Sequence, residues 1–286
     1  MNRRALLTAL TLSVLPSMLI AGGWNEQGGG LLLSVGEEWG VEYLSVDAGS
    51  FDVEYRGGRG PAVRLEIYGP ADERPIVERD GERLSITFPE RIRIGTPVRG
   101  RIVASGPPVM DLSLTTASGG ATVSTITEGV ITVVTDGGRV SLEMVSGDVT
   151  VISQMGDVQL TDVTGTIGVT SHAGAILGRT VSGSLTLRTD EGRLTLWDVT
   201  GILDARTESG PIEVLGLTLA PNSRVQSNSG RVEVVFGHEL EDISLDLTTE
   251  SGTIHLDHEP HESPIQRGTS ELEFVGVTRS GNQYYR

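Results

Sequence analysis

Apolar residues in the second half of the chain recur in pairs two positions apart, and each pair lies between two glycines. Ile131 and Val133 form one such pair, and Val149 and Val151 form the equivalent pair eighteen residues later. Alternation of this kind predicts short, half-buried strands, because successive side chains of a strand point to opposite faces. A helix would require apolar residues three to four positions apart and fewer glycines. The pattern therefore predicts an all-β structure.

Glycine recurs at a spacing of nine residues, and we interpret these glycines as structural turn residues. The eleven positions are Gly120, Gly129, Gly138, Gly147, Gly156, Gly165, Gly174, Gly183, Gly192, Gly201 and Gly210. Two kinds of nine-residue unit alternate, so the full repeat is eighteen residues long. A Ser or Thr precedes every second glycine by three positions, and Ser227 and Thr249 extend this hydroxyl column. Such a hydroxyl suits a tight turn, in which it bonds nearby backbone while the glycine takes a positive φ.

One turn of a coil for every eighteen residues would stack like residues in parallel ladders about 4.8 Å apart. No turn can bury its apolar pairs alone, so neighbouring turns supply the core together. The sequence therefore predicts a single-stranded parallel β-solenoid over residues 111–286, and the general crossover preference predicts a right-handed coil. After Gly210 the spacing loosens, and insertions at 219–222 and 237–242 are expected to bulge from corners.

Residues 31–110 are rich in predicted strands but lack the repeat. Asp80–Gly81 predicts a hairpin turn within this segment. We expect these residues to form an N-terminal cap, or irregular first turns, continuous with the solenoid as one domain. Such a cap would cover a sheet edge that otherwise invites aggregation.

The first 23 residues have the order of an export signal. Arg3 and Arg4 precede an apolar run, and Ala21 and Gly23 occupy the −3 and −1 positions of a possible cleavage after Gly23. A retained membrane anchor is the alternative, although the apolar run is short for one. Residues 24–30 are a glycine-rich, flexible lead-in. We therefore expect export to the periplasm or the cell surface, with no stable membrane insertion after signal removal.

The charge and the cysteine content exclude several classes of function. The formal net charge is −16, and a surface this acidic repels phosphate backbones and anionic headgroups, so no nucleic-acid partner is expected. The chain has no cysteine, which excludes disulfides, thiol chemistry and a lipid-modified cysteine at the cleavage site. Stability must then come from one long hydrophobic core, for which about 260 residues are ample.

Two kinds of chemical site can be compared with the repeat. Calcium-binding β-rolls need the motif G-G-x-G-x-D in stacked loops, and the residues after the glycines form no carboxylate ladder here. Polysaccharide-cleaving β-helices need paired carboxylates on one face. The outward candidates are Glu143, Glu191, Glu208 and Glu213, which lie in different columns, with Trp197 as the accompanying aromatic residue. A solvated acidic face is the alternative interpretation.

The segment HLDHEPHES offers His255, His258 and His261 as candidate zinc ligands. Their spacing of three is helical, but Pro260 and the preceding strand disfavour a helix. A solvated corner loop is the alternative. We predict no metal site, no cofactor and no catalytic residue, and these histidines remain weak candidates.

The repeats SGDVTV, TGTIGV, SGSLTL and ESGTIHL follow an export signal and a strand-rich lead. In this arrangement the chain resembles the DUF4097 "putative adhesin" family and the related head-GIN adhesin-like domains over residues 40–286. The resemblance implies a bacterial envelope β-solenoid and supplies no catalytic residues.

The leading hypothesis is a non-catalytic adhesin or scaffold of the cell envelope that binds a polysaccharide or a protein partner. The loops after Gly210 and the N-terminal cap are the expected recognition surfaces, because variable loops on a rigid scaffold commonly carry binding sites. Two alternatives stay open. One is a polysaccharide-active enzyme, and the other is an envelope-stress sensor that binds a partner protein through its acidic face.

Overall fold

A computed structural model describes residues 31–70, 73–88 and 100–286. The predicted export signal, 1–23, and the predicted lead-in, 24–30, lie outside the described residues. Those described form 23 β-strands and one short 3₁₀ turn, Leu240–Asp242, and the strands belong to one mostly parallel hydrogen-bonded network. The predicted all-β fold is confirmed. Within these ranges, no helix has the length and apolar character needed to cross a membrane.

The strands follow the chain in this order: β1 Leu31–Trp39, β2 Tyr43–Asp47, β3 Asp52–Arg56, β4 Ala62–Gly69, β5 Ile76–Asp80, β6 Arg83–Thr87, β7 Arg101–Ser105, β8 Asp111–Thr116, β9 Ala121–Ile126, β10 Val130–Thr135, β11 Val140–Ser153, β12 Val158–Ser171, β13 Ile176–Thr189, β14 Leu194–Thr207, β15 Ile212–Leu219, β16 Ser223–Ser227, β17 Val232–Phe236, β18 Ser244–Ser251, β19 Ile254–Leu256, β20 Glu259–His261, β21 Ile265–Arg267, β22 Glu273–Ser280 and β23 Gln283–Tyr285.

The central strands stack in parallel with like residues over like residues. Val163 of β12, for example, lies opposite Val145 of β11 and Val181 of β13, eighteen positions away on either side. These valines are fully buried, as are the apolar pairs on the flat parts of the strands. Burying a valine or leucine side chain stabilises the fold by about 1.5–3 kcal/mol. Each turn therefore depends on both of its neighbours for the core that its alternating sequence provides.

Buried hydroxyl groups line one corner of the stack. The Oγ1 of Thr189 accepts a hydrogen bond from the amide of Gly192 at 3.0 Å, and the Oγ of Ser227 accepts one from Gly230 at 2.7 Å. Ser153 instead donates to the carbonyl of Gly156 at 2.7 Å. The hydroxyl three positions before a glycine thus bonds the corner backbone, as the spacing predicts.

The predicted turn glycines fall into two columns, for two different reasons. In the first column, a Cβ added to any glycine would collide with the carbonyl oxygen of the glycine one turn earlier; its members include Gly138, Gly156, Gly174, Gly192 and Gly210. None of these five has a positive φ, so the expectation of a left-handed turn is wrong at this corner and close backbone approach requires the glycine. The second column has both the collision and φ values of 120–141°; its members are Gly147, Gly165, Gly183 and Gly201.

Gly120 does not belong to the first column, although the nine-residue spacing assigns it there. The turn before β11 contains one extra residue, so Ala121 lies opposite Val140, nineteen positions further on. Gly119 consequently takes the place beneath Gly138. Gly129 continues the second column, where an added Cβ would collide with the carbonyl oxygen of Met110.

A third column holds residues in the left-handed conformation, and most of them are not glycine. Thr125, Met144, Asp162, Thr180 and Asp198 have φ between 52° and 59°, and Gly216 follows them with a φ of 82°. A left-handed conformation disfavours residues with a Cβ by about 1–2 kcal/mol, least for Asn and Asp. This corner therefore stores strain, most of all at the β-branched residues.

Replacing Thr180 with asparagine is expected to raise the free energy of unfolding by about 0.5–1 kcal/mol, because asparagine tolerates the left-handed conformation better than a β-branched residue. Thr186, exposed in the middle of the same strand, is the matched control, and Thr186→Asn should give no stabilisation. Urea unfolding of both variants measures the difference. Equal effects at the two positions would contradict the assignment of strain to this corner.

The strands at the C-terminal end do not stack in sequence order. β22 lies between β16 and β18, so that Phe274 is opposite Ser223 on one side and Leu245 on the other. β23 likewise lies between β17 and β19. Ser227 and Thr249 both extend the hydroxyl column, and Thr278 lies between them in the stack. The physical cause of this strand order is the connection over residues 237–243. It carries the chain from β17 past the adjacent strand position before β18 begins, and β22 and β23 fill the position left open.

A strand pair is also inserted at the N-terminal end, and there the inserted strands, β2 and β3, precede their neighbours in the chain. β2 lies between β6 and β8, with Leu44 opposite both Leu84 and Leu112, and β3 lies between β7 and β9. Antiparallel strands close both ends: β4 and β5 pair with β7 and β6, and β20 and β21 pair with β19 and β18. The predicted hairpin at Asp80–Gly81 joins β5 to β6. Antiparallel closure covers parallel edges that would otherwise offer a template to another chain.

Candidate functional site

The four carboxylates considered for catalysis do not form one cluster. Glu191 and Glu208 lie at the corner that follows the hydroxyl column. The carboxylate of Glu208 accepts a hydrogen bond from the side-chain amide of Asn228. Glu143 and Glu213 lie on a different face, four turns apart, which is roughly 19 Å at the spacing of parallel strands. Glycosidases hold their two carboxyl groups about 5–9.5 Å apart. The outward carboxylates Glu143 and Glu213 are thus too far apart to act as such a pair.

The same corner carries a histidine in a charge-assisted pair. His172 Nδ1 lies 2.7 Å from Asp190 Oδ2, one turn further along the stack. The hydrogen bond to Asp190 raises the pKa of the His172 imidazole above its ordinary value, and desolvation opposes this effect. Both side chains are exposed, so the pair is a surface feature.

Replacing Asp190 with asparagine is expected to lower the pKa of His172 towards its ordinary value. Because the folded-state pKa is raised, the stabilisation from this pair is present below the unfolded pKa and is lost as pH rises through the folded pKa. An NMR titration of the His172 ring measures the shift. Asp136→Asn, in the same column two turns before His172, is the control and should leave the His172 pKa unchanged; a pKa that is the same in all three proteins would contradict the pairing.

The three histidines proposed as zinc ligands lie on a β-hairpin and do not converge. β19 and β20 pair in antiparallel register, with Ile254 opposite His261 and His255 opposite Pro260. His255 and His261 therefore project from opposite faces of the hairpin, because successive side chains alternate. His258 lies in the turn with a φ of 71°. Throughout the part of the chain that the structure describes, no group of three His, Asp or Glu residues is placed to hold a metal ion.

A small groove of about 190 Å³ lies at the C-terminal end, beside Tyr284. The Tyr284 ring stacks on the His255 ring, with centroids 4.7 Å apart and planes 6° apart. The guanidinium of Arg231 lies 4.2 Å from the centre of the Tyr284 ring, and Glu233 pairs with both Arg231 and Arg286. The ring faces and the charges of this groove are thus already engaged within the protein.

A larger groove of about 450 Å³ lies on the N-terminal end of the stack. We call it the N-terminal groove and define it by Glu37, Trp39, Arg56, Arg59, Arg64 and Glu66. Strand register brings these residues together: Arg64 of β4 lies opposite Glu37 of β1 and Ser105 of β7, and Ser105 lies opposite Arg56 of β3. Four strands from separate parts of the chain therefore build the floor of this groove.

Trp39 is held at the rim of the N-terminal groove by its backbone. Arg79 donates to the carbonyl oxygen of Trp39 at 2.5 Å and to a carboxylate oxygen of Glu38 at 2.7 Å. Trp39 as a whole is 61% exposed. A fixed backbone with a free ring presents a flat apolar surface to the groove.

Arg59 stands on a short loop that the strands hold in place. The backbone amide of Gly57 donates a hydrogen bond to the carbonyl oxygen of Ser124 at 2.9 Å. The backbone amide of Arg59 donates one to the carbonyl oxygen of Gly106 at 3.1 Å. Gly58 and Gly60 have φ values of 79° and 110°, which favour glycine. Among the described residues, the Arg59 guanidinium has no ion pair. The loop thus presents one uncompensated positive charge.

The other arginines of the N-terminal groove are partly compensated. Arg64 contacts Glu66 at 3.0 Å and keeps 60% of its side chain exposed. Arg56 and Arg101 both donate to Glu54, beneath the groove. Burial raises the pKa of the Glu54 carboxyl, but the hydrogen bonds and charges of Arg101 and Arg56 outweigh it, so that this pKa lies below its ordinary value. Glu54 therefore stays ionised and fixes Arg56 in position.

Trp39 and Arg59 were not predicted from the sequence to be functional residues. Two signals in the sequence were available. A tryptophan ends an amphipathic stretch at Glu37–Trp39, and an arginine sits between glycines in GGRGP. Neither signal shows that the two residues share a groove, because their proximity depends on antiparallel pairing of β1 with β4.

The chain matches one family and several solved structures. The family is Toastrack DUF4097, over residues 41–286. No curated protein matches the chain. A "putative lipid binding protein" from Parabacteroides distasonis is 15% identical, with a TM-score of 0.37 and coverage of 87% of this chain and 96% of that one. A "putative adhesin" from Bacteroides fragilis is 12% identical, with a TM-score of 0.35 and coverage of 88% and 96%.

A third solved structure, a "putative cell adhesion protein" from Clostridium sporogenes, is 8% identical, with a TM-score of 0.23 and coverage of 88% of this chain and 98% of that one. The family match is the stronger finding, because it extends over most of the chain and includes both closed ends of the stack as well as the repeats. This chain belongs to the Toastrack DUF4097 family.

Proposed function

We propose that this protein is an exported, non-catalytic adhesin or scaffold of the cell envelope that binds a polysaccharide or a protein partner. The observation that carries the proposal is the N-terminal groove on a continuous parallel stack. A rigid scaffold holds recognition groups at fixed positions without paying ordering entropy on binding. The groove is open and lies at one end of a long stack. It contains the exposed Trp39 and the Arg59 guanidinium, which has no ion pair within the ranges that the structure describes.

The same proposal includes the finer organisation of the chain. Residues 1–23 act as the export signal, 24–30 form a flexible lead-in, 31–110 form the cap and first turns, and 111–286 form the solenoid. One turn of the coil is eighteen residues, which the opposite pairing of residues eighteen apart in β11–β14 supports. The coil is right-handed, by the general preference of parallel crossovers. The protein acts in the periplasm or at the cell surface.

The wide separation of Glu143 and Glu213 supports a binding role over the enzyme alternative. A single experiment can measure polysaccharide binding and polysaccharide cleavage together and so distinguish the proposed binding role from the enzyme alternative.

That experiment mixes purified residues 24–286 with polysaccharide from the producing organism's envelope and follows co-sedimentation and new reducing ends over time. The proposal predicts retention of the protein without new chain ends. New ends that disappear in Glu208→Gln or Glu213→Gln would establish an enzyme instead. Absence of both signals would leave a protein partner and favour the scaffold or stress-sensor role.

A further inference from the structure

We propose that the N-terminal groove binds a sugar residue that carries a carboxylate, that is, a uronate unit of an acidic polysaccharide. This inference deepens the proposed function and rests on it, because it names the ligand class of the groove. The groups that would recognise the sugar are the Trp39 ring, the Arg59 guanidinium and the polar floor formed by Arg64, Glu37 and Glu66.

The size and shape of the groove suit one or two sugar rings. Its volume of about 450 Å³ lies within the 300–1,000 Å³ typical of small-molecule sites. It is open to solvent along its length, as a site for an internal unit of a polymer must be. A closed pocket would accept only a chain end.

Trp39 provides the apolar surface on which a pyranose ring packs. One face of a pyranose presents mainly C–H groups, and a large amphipathic aromatic ring is well suited to contact it. The other aromatic rings on outer faces of the stack are less available. Arg179 covers Trp197 at 4.9 Å from the ring centre, and His255 and Arg231 cover Tyr284. Trp39 combines high exposure with a fixed backbone.

Arg59 provides the group that selects a carboxylate. A guanidinium binds a carboxylate through two parallel hydrogen bonds, and its planar fork is well matched to this anion. Because Arg59 has no ion pair among the described residues, binding an anion here breaks no existing interaction. Arg64 can add a second donor with little loss, since it shares a single exposed contact with Glu66.

The carboxylates of the groove favour a hydroxylated ligand over a simple anion. Glu37 and Glu66 present acceptors on the same surface as the arginines, and sugar hydroxyl groups are donors that satisfy them. A ligand bearing both hydroxyl groups and one carboxylate therefore matches the mixed lining. A polyphosphate would meet the two carboxylates with like charge.

The acidic character of the whole chain does not prevent this binding. The net charge is −16, but the screening length is about 8 Å at physiological ionic strength, so distant carboxylates contribute little at the groove. Locally, the six residues that define the groove comprise three arginines and two glutamates, and Glu54 beneath them pairs with Arg56. The positive charge that a ligand meets is thus mainly that of Arg59, with Arg64 shared with Glu66.

The test is a titration of residues 24–286 with trimers of galacturonate, glucuronate and mannuronate, followed by calorimetry. Methyl-esterified galacturonate trimer is the uncharged control ligand. Trp39→Ala and Arg59→Gln test the groove, and Trp197→Ala and Arg188→Gln are the matched controls on other faces. Circular dichroism checks that every variant keeps the fold.

We expect at least one uronate trimer to bind. Affinity should fall at least tenfold in Trp39→Ala, in Arg59→Gln and on methyl esterification, and should stay within twofold in both control variants. The inference is overturned if none of the three trimers binds, or if the groove variants bind like the control variants. Co-sedimentation with envelope polysaccharide separates the two levels. Retention of a Trp39→Ala, Arg59→Gln double variant as strong as that of the unmodified protein would overturn the groove and leave the adhesin role intact. Absence of retention of the unmodified protein would overturn polysaccharide binding, and the uronate site with it, and would leave the protein-partner form of the proposed function.

Discussion

Replacing Gly138 with alanine is expected to lower the free energy of unfolding by about 3 kcal/mol, at the upper end of the usual range for overpacking. The new Cβ would collide with the carbonyl oxygen of Gly119 in the turn beneath. Both atoms belong to the backbone of a stacked corner, so neither can move without disturbing the ladder. For a chain of this size, the loss corresponds to a fall in Tm of about 6–12 °C.

Gly137 gives a matched control at the adjacent position. A Cβ there would meet its nearest atom, the carbonyl oxygen of Ala117, at 3.9 Å, and Gly137 has no positive φ. Gly137→Ala should therefore be neutral, or stabilise by up to about 1 kcal/mol through the unfolded chain. Urea unfolding and thermal melts of both variants measure the contrast. Equal stability of the two would show that close backbone approach does not select glycine at this corner.

Removing residues 273–286 is expected to turn the protein into an associating species. The deletion leaves β16 and β18 each without its partner β22, and β17 and β19 without β23. Unpaired edges of this kind offer a template for strands of other molecules. It also removes Phe274 and Tyr285, which pack with Phe236 at ring distances of 5.0–6.3 Å.

Size-exclusion chromatography with light scattering measures this effect. Tyr285→Ala in the full chain is the control, because it removes a buried ring and keeps every strand pair. That variant should keep the oligomeric state of the unmodified protein while losing about 3–5 kcal/mol of stability, the usual loss for a large buried aromatic side chain. A shortened chain with the same oligomeric state and the same Tm as the unmodified protein would contradict the inserted position of β22 and β23.

The repetitive part of the fold was predictable because its signals are local. Alternating apolar pairs such as Ile131 and Val133 mark the strands, and a hydroxyl three residues before a glycine marks the corner. The apolar pairs and the hydroxyl groups both reflect contacts that each turn of the coil makes with an equivalent neighbouring turn. One period of the sequence is therefore enough to predict the structure of every regular turn. The hydroxyl that precedes every second glycine already divided the glycines into two sets, but the spacing did not predict that only one of the two sets has a positive φ.

The order of strands at the ends could not be predicted for a physical reason. Thr278 and Gly281 have the same spacing as Thr249 and Gly252, so β22 and β18 carry the same corner chemistry. Either strand would fit next to β16 by its pattern alone. The connecting segment decides the order: Leu240 and Ile243 are buried in the crossover, which carries the chain past one strand position.

The candidate site lay beyond sequence reasoning because antiparallel pairing builds it. Trp39 and Arg59 are twenty positions apart, and the register of β1 with β4 and of β4 with β7 brings their strands to one surface. The sequence pointed to the cap as a recognition surface in general terms, which stays a prediction, and the histidines it singled out near the other end are separated by strand alternation. The candidate groove thus depends on a closed end of the stack, where the repeat no longer applies.

The insertion of β22 and β23 between earlier strands is the central claim about the fold that the repeat does not predict, and cysteine cross-linking at the C-terminal end tests it most directly. The chain has no cysteine, so paired substitutions report on single contacts. Gln226 and Val277 are opposite one another in β16 and β22, whereas Thr248 is one strand further away. Under mild oxidation, Gln226→Cys with Val277→Cys should form an intramolecular disulfide, and Gln226→Cys with Thr248→Cys should remain reduced. The reverse result would mean that the turns stack in sequence order and would contradict the inserted strand pair.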